Sequence, residues 1–144
     1  MSGITLREAA TEAEIGACVA ALQQLRPHRA DPAALVAQVQ RQRDQGYRLL
    51  AAWRAKQVLG AAGYRISENL MHGRFVHVDD LVVCDGARRG GVGALLLDGV
   101  AAGAAATGCA RLTLDTGLDN ALAQRFYFRC GLLATGLHFR RDLP

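Results

Sequence analysis

The segment from Val76 to Leu97 limits the possible folds more than any other part of the chain. Val76-His77-Val78-Asp79-Asp80-Leu81-Val82-Val83 is a largely apolar, β-branched run, which reads as a strand. A short polar link carries it into Arg88-Arg89-Gly90-Gly91-Val92-Gly93-Ala94, a basic, glycine-rich turn that opens a helix. The strand supplies rigid backbone edges, and the glycines let the main chain approach an anion. The helix start adds unpaired N–H groups and the positive end of its dipole. This order predicts a site for a phosphorylated ligand.

Spacing narrows the anion. No Gly-Lys-Ser/Thr follows the turn, so it is not a Walker A loop. Arg88-x-x-Gly91-x-Gly93 lacks the Rossmann GxGxxG spacing and lies too late in the chain for it. What remains is a set of main-chain N–H groups between Arg89 and Ala94 with guanidinium support, which suits a pyrophosphate.

The remaining composition sets outer bounds. At 144 residues the chain is expected to form one domain, residues 1–144, with a core of its own. No uncharged apolar stretch approaches the ~20 residues that cross a bilayer. The start Met1-Ser2-Gly3-Ile4-Thr5 shows no basic segment followed by an apolar one. A cytoplasmic location without membrane attachment is the expectation. Cys18, Cys84, Cys109 and Cys130 are scattered without a CxxC pair, which reads as reduced thiols and no metal site. The net charge of +4 is spread along the chain, with Arg88-Arg89 and Arg140-Arg141 the adjacent pairs. Aromatics are not interleaved with the basic residues as a base-stacking platform requires, which argues against a nucleic-acid partner.

Patterning orders the elements. Ile4–Ala9 alternates as a first strand, and Thr11 with Glu14 forms a capping box for a helix through about Leu25. Pro27 ends that helix; Asp31-Pro32 caps and starts another, which Gly46 closes. Tyr47–Arg54 and Val58–Ser67 read as a hairpin joined at Ala55-Lys56-Gln57. Gly60 and Gly63 in its second strand suggest a bulge or a close neighbour. The central strand runs over about Phe75–Val83. The helix from Gly91 to about Thr107 carries one charge, Asp98, and reads as buried against a sheet, with Gly99 and Gly103 allowing close packing. Arg111–Thr116 is a short strand, Asn120–Cys130 an amphipathic helix stopped by Gly131, and Leu132–Leu143 one or two last strands. The order β-α-α-β-β-β-α-β-α-β predicts an α/β fold, a mixed sheet with helices on both faces.

Two motifs now coincide. Arg88-x-x-Gly91-x-Gly93 resembles the Q/R-x-x-G-x-G/A motif of the GNAT superfamily of N-acetyltransferases, which cradles the pyrophosphate of acetyl-CoA. The preceding strand is similar to that family's fourth strand. Asn120-x-x-Ala123-x-x-Phe126-Tyr127-x-x-x-Gly131-Leu132 is similar to the family's N-x-x-A-x-x-[FL]-Y-x-x-x-G-F segment. The similarity in element order covers about Ile4 to Leu143, and residues 75–132 carry the motifs.

The resemblance implies an acetyl-CoA-dependent N-acetyltransferase acting on a primary amine of a small molecule or peptide. It implies direct attack in a ternary complex, with acetyl-CoA as cosubstrate and no metal. Arg88, Arg89, Gly90, Gly91, Val92, Gly93 and Ala94 would hold the pyrophosphate, and Asn120 the cofactor arm besides capping its helix. A bulge near Leu81, Val82 and Val83 would turn a backbone N–H toward the thioester.

Tyr127 falls on the family's general-acid position, where it would protonate the departing sulfur; alone it reads as a core aromatic beside Phe126 and Phe128. The attacking amine must be neutral, whereas a free alkylammonium titrates near ~10.4, so a base is useful. Asp79 stands where many relatives have a glutamate acting through water, and Asp115 where some carry a catalytic glutamate. Action without a dedicated base stays open. Asp79 and Asp80 are expected on opposite faces of their strand, with Asp80 and His77 read as structural. Cys84 has no adjacent histidine to activate it as an acyl carrier.

In this architecture the acceptor groove would involve Leu22–Gln45 and Gly136–Arg141. Arg26, His28, Arg29, His138 and Arg140 there point weakly to a polar or acidic acceptor. The resemblance leaves room for a homodimer through the C-terminal strands. The rival reading is an acyl-CoA-binding sensor or structural module without turnover.

Overall fold

A computed structural model describes residues 3–144; Met1 and Ser2, on which part of the N-terminal reading falls, lie outside the described residues. These residues form two compact units, one reaching to Thr113 and the other spanning Leu114–Pro144.

The first unit is built on strands β1 (Ile4–Glu8), β2 (Tyr47–Arg54), β3 (Gln57–Asn69) and β4 (Gly73–Val83), with β5 (Arg111–Leu114) at its end. The sheet order is β1-β2-β3-β4-β5, and the first four strands pair antiparallel. Its helices are α1 (Glu12–Ala17), α2 (Val19–Leu25), α3 (Pro32–Arg43) and α4 (Val92–Ala106), with a 3₁₀ turn at Asp85–Ala87.

The predicted first helix is broken in two at Cys18, whose N–H bonds the Ile15 carbonyl three residues back at 2.9 Å. Its start is as expected: the Glu14 N–H donates to Thr11 Oγ1 at 3.1 Å and the Thr11 N–H to Glu14 Oε1 at 3.0 Å. Asp31 caps α3, accepting from the N–H groups of Ala33 and Ala34. The β2–β3 connection is tighter than predicted, since Arg54 pairs directly with Gln57 and Ala55 takes φ 56°.

The sheet carries helices on both faces. Ile15, Cys18 and Leu22 pack with Leu35 and Val39 over Tyr47, Leu49, Ala51, Trp53, Ala61 and Val82. On the opposite face α4 lies so close that a Cβ at Gly99 would sit 2.6 Å from Leu6 Cδ1. At Gly60 a Cβ would approach Val92 and Leu96 at 3.2 Å, and the Val82 carbonyl at 2.7 Å. Gly103 faces open space, so its expected packing role is not realised.

The second unit contains α5 (Ala121–Arg129). Asn120 caps it, accepting from the Ala123 N–H at 3.1 Å, and Gly131 ends it at φ 86°. The strands expected over Leu132–Leu143 are absent among the described residues, and Leu133, Leu137, Phe139 and Leu143 are exposed. Alternating apolar residues favour an extended backbone, but a strand also needs a neighbouring edge to bond. Among the described residues none pairs with this segment.

Candidate active site

β4 fixes the centre of the first unit's site. Its register with β3 shifts between Gly63 and Tyr64: Gly63 faces Asp80 and Tyr64 faces Val78, so Asp79 is the extra residue of a bulge. The bulge was expected near Leu81–Val83, but those residues pair in register with Ala62, Ala61 and Gly60. Gly63, which faces the neighbouring Asp80 at the register shift, has no side chain to crowd the distorted strand.

The bulge also corrects the placement of the two carboxylates. An unbroken strand would send Asp79 and Asp80 to opposite faces; the extra residue brings both to the face carrying Tyr47 and Arg65. Arg65 Nε donates to Asp79 Oδ2 at 2.9 Å, and the Tyr47 hydroxyl donates to Asp80 Oδ2 at 2.7 Å. Arg26, at the C-terminal end of α2, donates from Nε and Nη2 to Asp80 Oδ1 at 3.2 and 3.1 Å. Its Nη2 also reaches the Asp79 carbonyl at 3.1 Å. Asp80 thus makes hydrogen bonds of the kind expected from sequence, and Tyr47 and Arg65 are partners that sequence reasoning missed.

Tyr47 is 1% exposed. Burial first, then the Asp80 charge beside it, hold its phenol well above the ordinary tyrosine range. Its hydroxyl occupies the space a Cβ at Gly63 would take. The glycine flagged as a bulge signal therefore has a second duty, to admit this ring. His77 stands beside the pair: its Nδ1 is 2.7 Å from Thr113 Oγ1 and its Nε2 3.9 Å from Asp79 Oδ1.

Beyond the bulge, β4 offers an open edge. β5 has four residues and runs beside the first half of β4, with Ala110 N–H bonded to the Arg74 carbonyl and Thr113 beside His77. Along Leu81–Val83, among the described residues, no strand flanks the edge away from β3. The resemblance implies a thioester arm along this edge, but the bulge expected there lies at Asp79 instead.

The turn then fits an anion. Arg89 and Gly91 both take left-handed backbone, φ 68° and 79°, so the main chain curls before α4 begins. Gly91 is the N-cap and supplies no side-chain cap, and the first turn of α4 has no acidic residue. The N–H groups of Val92, Gly93 and Ala94 therefore keep the donor capacity a pyrophosphate needs. Arg88 is steadied by Asp85 at 3.0 Å and by the Val83 carbonyl at 3.3 Å.

Between α2, α3 and β4 lies a cavity of about 150 Å³, lined by Leu22, Arg26, Leu35, Gln38, Tyr47 and Asp80 among others. Asp79 does not line it. Cys84 bonds the Val58 carbonyl at 3.6 Å, and burial raises its thiol above the ordinary range, opposite to what an acyl carrier needs.

The second unit holds the other predicted residues. Burial, with Cys130 a smaller cause, raises the Tyr127 phenol above its ordinary range. The ring packs edge-on to Phe126 at 5.4 Å, while Phe128 points to solvent. Asp115 Oδ2 lies 3.3 Å from His138 Nδ1. An open groove of about 460 Å³ runs along α5 past Gln124, Phe128 and Arg129, without Tyr127. Among the described residues no group of His, Cys, Asp and Glu is arranged to hold a metal. No described helix is long and apolar enough to cross a membrane.

A sequence search of curated proteins gives no match. Similar solved structures include an integron cassette protein from the mobile metagenome of V. cholerae, at TM-score 0.83 and 21% identity, covering 99% of this chain and 94% of that one. The aminoglycoside acetyltransferase AAC(6')-Iy, solved with a CoA bisubstrate analogue, gives TM-score 0.83 at 19% identity, covering 99% and 100%. Glucosamine-6-phosphate N-acetyltransferase from Arabidopsis thaliana gives 0.78 at 16%, covering 98% and 99%. These likenesses show the fold. The model of the acetyltransferase (GNAT) family matches residues 15–132, most of the chain and both motifs. The chain belongs to the GNAT acetyltransferase family.

Proposed function

We propose that the protein transfers the acetyl group of acetyl-CoA to a primary amine of a small molecule or peptide, by direct attack in a ternary complex formed by one acetyltransferase domain. The observation that carries this reading is the curled turn at Arg89–Gly91. It opens an uncapped α4 at the end of a strand whose outer edge is open.

Acetyl-CoA supplies the acetyl thioester. The turn from Arg88 to Ala94 binds the pyrophosphate through main-chain N–H groups and guanidinium charge. The Leu81–Val83 edge aligns the arm and offers a fixed N–H to the carbonyl oxygen as charge develops there. Asn120 adds a contact to the arm.

Asp79 is the favoured proton acceptor for the amine, through water, because the bulge lifts it out of the ladder. Arg65 and His77 orient it. Asp115, beside His138, is the alternative. The raised pKa keeps the Tyr127 phenol protonated near neutrality. Its phenolate is a stronger base than a thiolate, so full proton transfer to sulfur runs uphill. A hydrogen bond from Tyr127 that strengthens as the thiolate departs fits this better than complete transfer.

Thiol release from acetyl-CoA over a panel of primary amines tests the proposal, with acetyl-CoA binding measured in parallel. The expected result is amine-dependent release, reduced roughly 10- to 1,000-fold in kcat by Tyr127→Phe with binding retained. Binding without release for every amine would favour the acyl-CoA sensor instead.

A further inference from the structure

Arg26 is held on one side and open on the other. Its Nε–H and both Nη2 N–H groups are committed to Asp80 and the Asp79 carbonyl. Asp80 is fixed in turn by the Tyr47 hydroxyl, on a ring buried between α2, α3 and the sheet. Held from one side in this way, the guanidinium plane cannot swing away, and Arg26 is still 45% exposed. Its two Nη1 N–H groups have no protein partner among the described residues, and the residue lines the 150 Å³ cavity.

The charge balance of that cavity points the same way. Arg26, Arg29 and Asp80 are its charged lining residues, and His28 and Tyr47 are the titratable ones beside them. Asp80 is already answered, since Oδ1 accepts from Arg26 and Oδ2 from Tyr47. Arg29 makes no side-chain bond within the described residues. One positive charge therefore stands in excess, with directed donors, beside an apolar wall of Leu22, Leu35 and Val39. An ammonium group placed here would meet a neutralised carboxylate and two guanidinium groups. A carboxylate or phosphate would meet charge-assisted donors. The volume lies below the ~300 Å³ lower end of drug-sized ligand sites, which suits a small acceptor.

Resting on the acetyl-transfer reading, we propose that the acceptor is a small amine bearing an anionic group, carboxylate or phosphate. Arg26 receives that group, and Arg29 supports it. Asp80 and Tyr47 are positioning residues that act through Arg26. The anion on Arg26 then orients the amine toward the β4 bulge.

Matched amines test this. γ-Aminobutyrate is compared with butylamine, and phosphoethanolamine with ethanolamine, so that the two arms separate carboxylate from phosphate. Wild-type protein should favour at least one anionic member over its neutral twin tenfold or more in kcat/KM, mainly through KM. Arg26→Gln should shrink that ratio to near one, Arg26→Lys should restore part of it, and Arg29→Gln should lower it less. Tyr47→Phe should lower the ratio through KM while Arg26 remains.

Binding is read separately, without acetyl-CoA, from the Arg26 Nε–H resonance during titration with the same four amines. Saturable shifts with the anionic members alone support the inference even if no amine is acetylated, and that outcome would overturn only the acetyl-transfer reading. Equal use of both members of each pair, or an anion preference that survives Arg26→Gln, overturns the inference while turnover stands. Should Arg26→Gln fail to fold, the Arg29→Gln ratio and the resonance titration decide the matter.

Discussion

The two units of this protein hold their candidate site residues by different means. In the first, buried apolar side chains on both faces of the sheet fix β4, and the polar network around Asp80 sits on that frame. In the second, no residue is fully buried, and α5 is set by Asn120 and Gly131 at its ends. Packing determines position in one unit and local backbone chemistry in the other. The glycine turn proposed for the cofactor and the cavity proposed for the acceptor lie in the packed unit, whereas Tyr127 and Asp115 lie in the locally ordered one.

This contrast can be broken by stability measurements. Leu96→Ala, at a fully buried position on α4, should cost ~2–5 kcal/mol in denaturant unfolding. Phe139→Ala, where the ring is 85% exposed, should stay within about 0.5 kcal/mol of wild type. Comparable losses at both sites would abolish the distinction.

Smaller effects sharpen it inside the first unit. Gly63→Ala puts a methyl group where the Tyr47 ring lies, and overpacking of this kind costs ~1–3 kcal/mol. Tyr47→Phe removes the donor to Asp80 Oδ2 while keeping the ring, which should cost ~1–3 kcal/mol. If either variant unfolds like wild type, the Tyr47–Asp80 bond is not fixing the frame. Thr11→Ala, which removes the capping box of α1, should cost ~1 kcal/mol.

Cys18 adds a pH signature. Burial pushes its thiol up from 9.0 to about 12. Because the folded value is the higher, the stabilisation is complete below about pH 9, where both states hold the proton. It fades as pH rises toward 12 and the unfolded thiol ionises first. A Cys18→Ala variant should show a shallower loss of stability over that range in unfolding curves.

Much of the fold was legible because the deciding signals were local. Thr11 and Glu14, Asp31-Pro32, Asn120 and Gly131 mark helix ends through bonds made within a few residues, and each end lies where expected. The glycine turn was legible for the same reason. The break at Cys18 was not, since both halves of that helix share one apolar pattern. Nor was the position of the bulge: the pattern of β4 alone does not reveal that Gly63 on the neighbouring strand would face Asp80. The missing C-terminal strands show the limit of alternation, which marks extended backbone but not the partner a strand requires. Arg26 was visible as a basic residue, yet its role depends on Tyr47 and Asp80, 21 and 54 positions away in the sequence.

Two-substrate initial-rate kinetics test the central claim most directly, with acetyl-CoA and a free primary amine that the protein uses as acceptor varied together and thiol release recorded. Direct attack in a ternary complex predicts intersecting double-reciprocal lines and no acetyl group left on the protein when the amine is omitted. Parallel lines, with an acetylated cysteine in the amine-free protein, would contradict it.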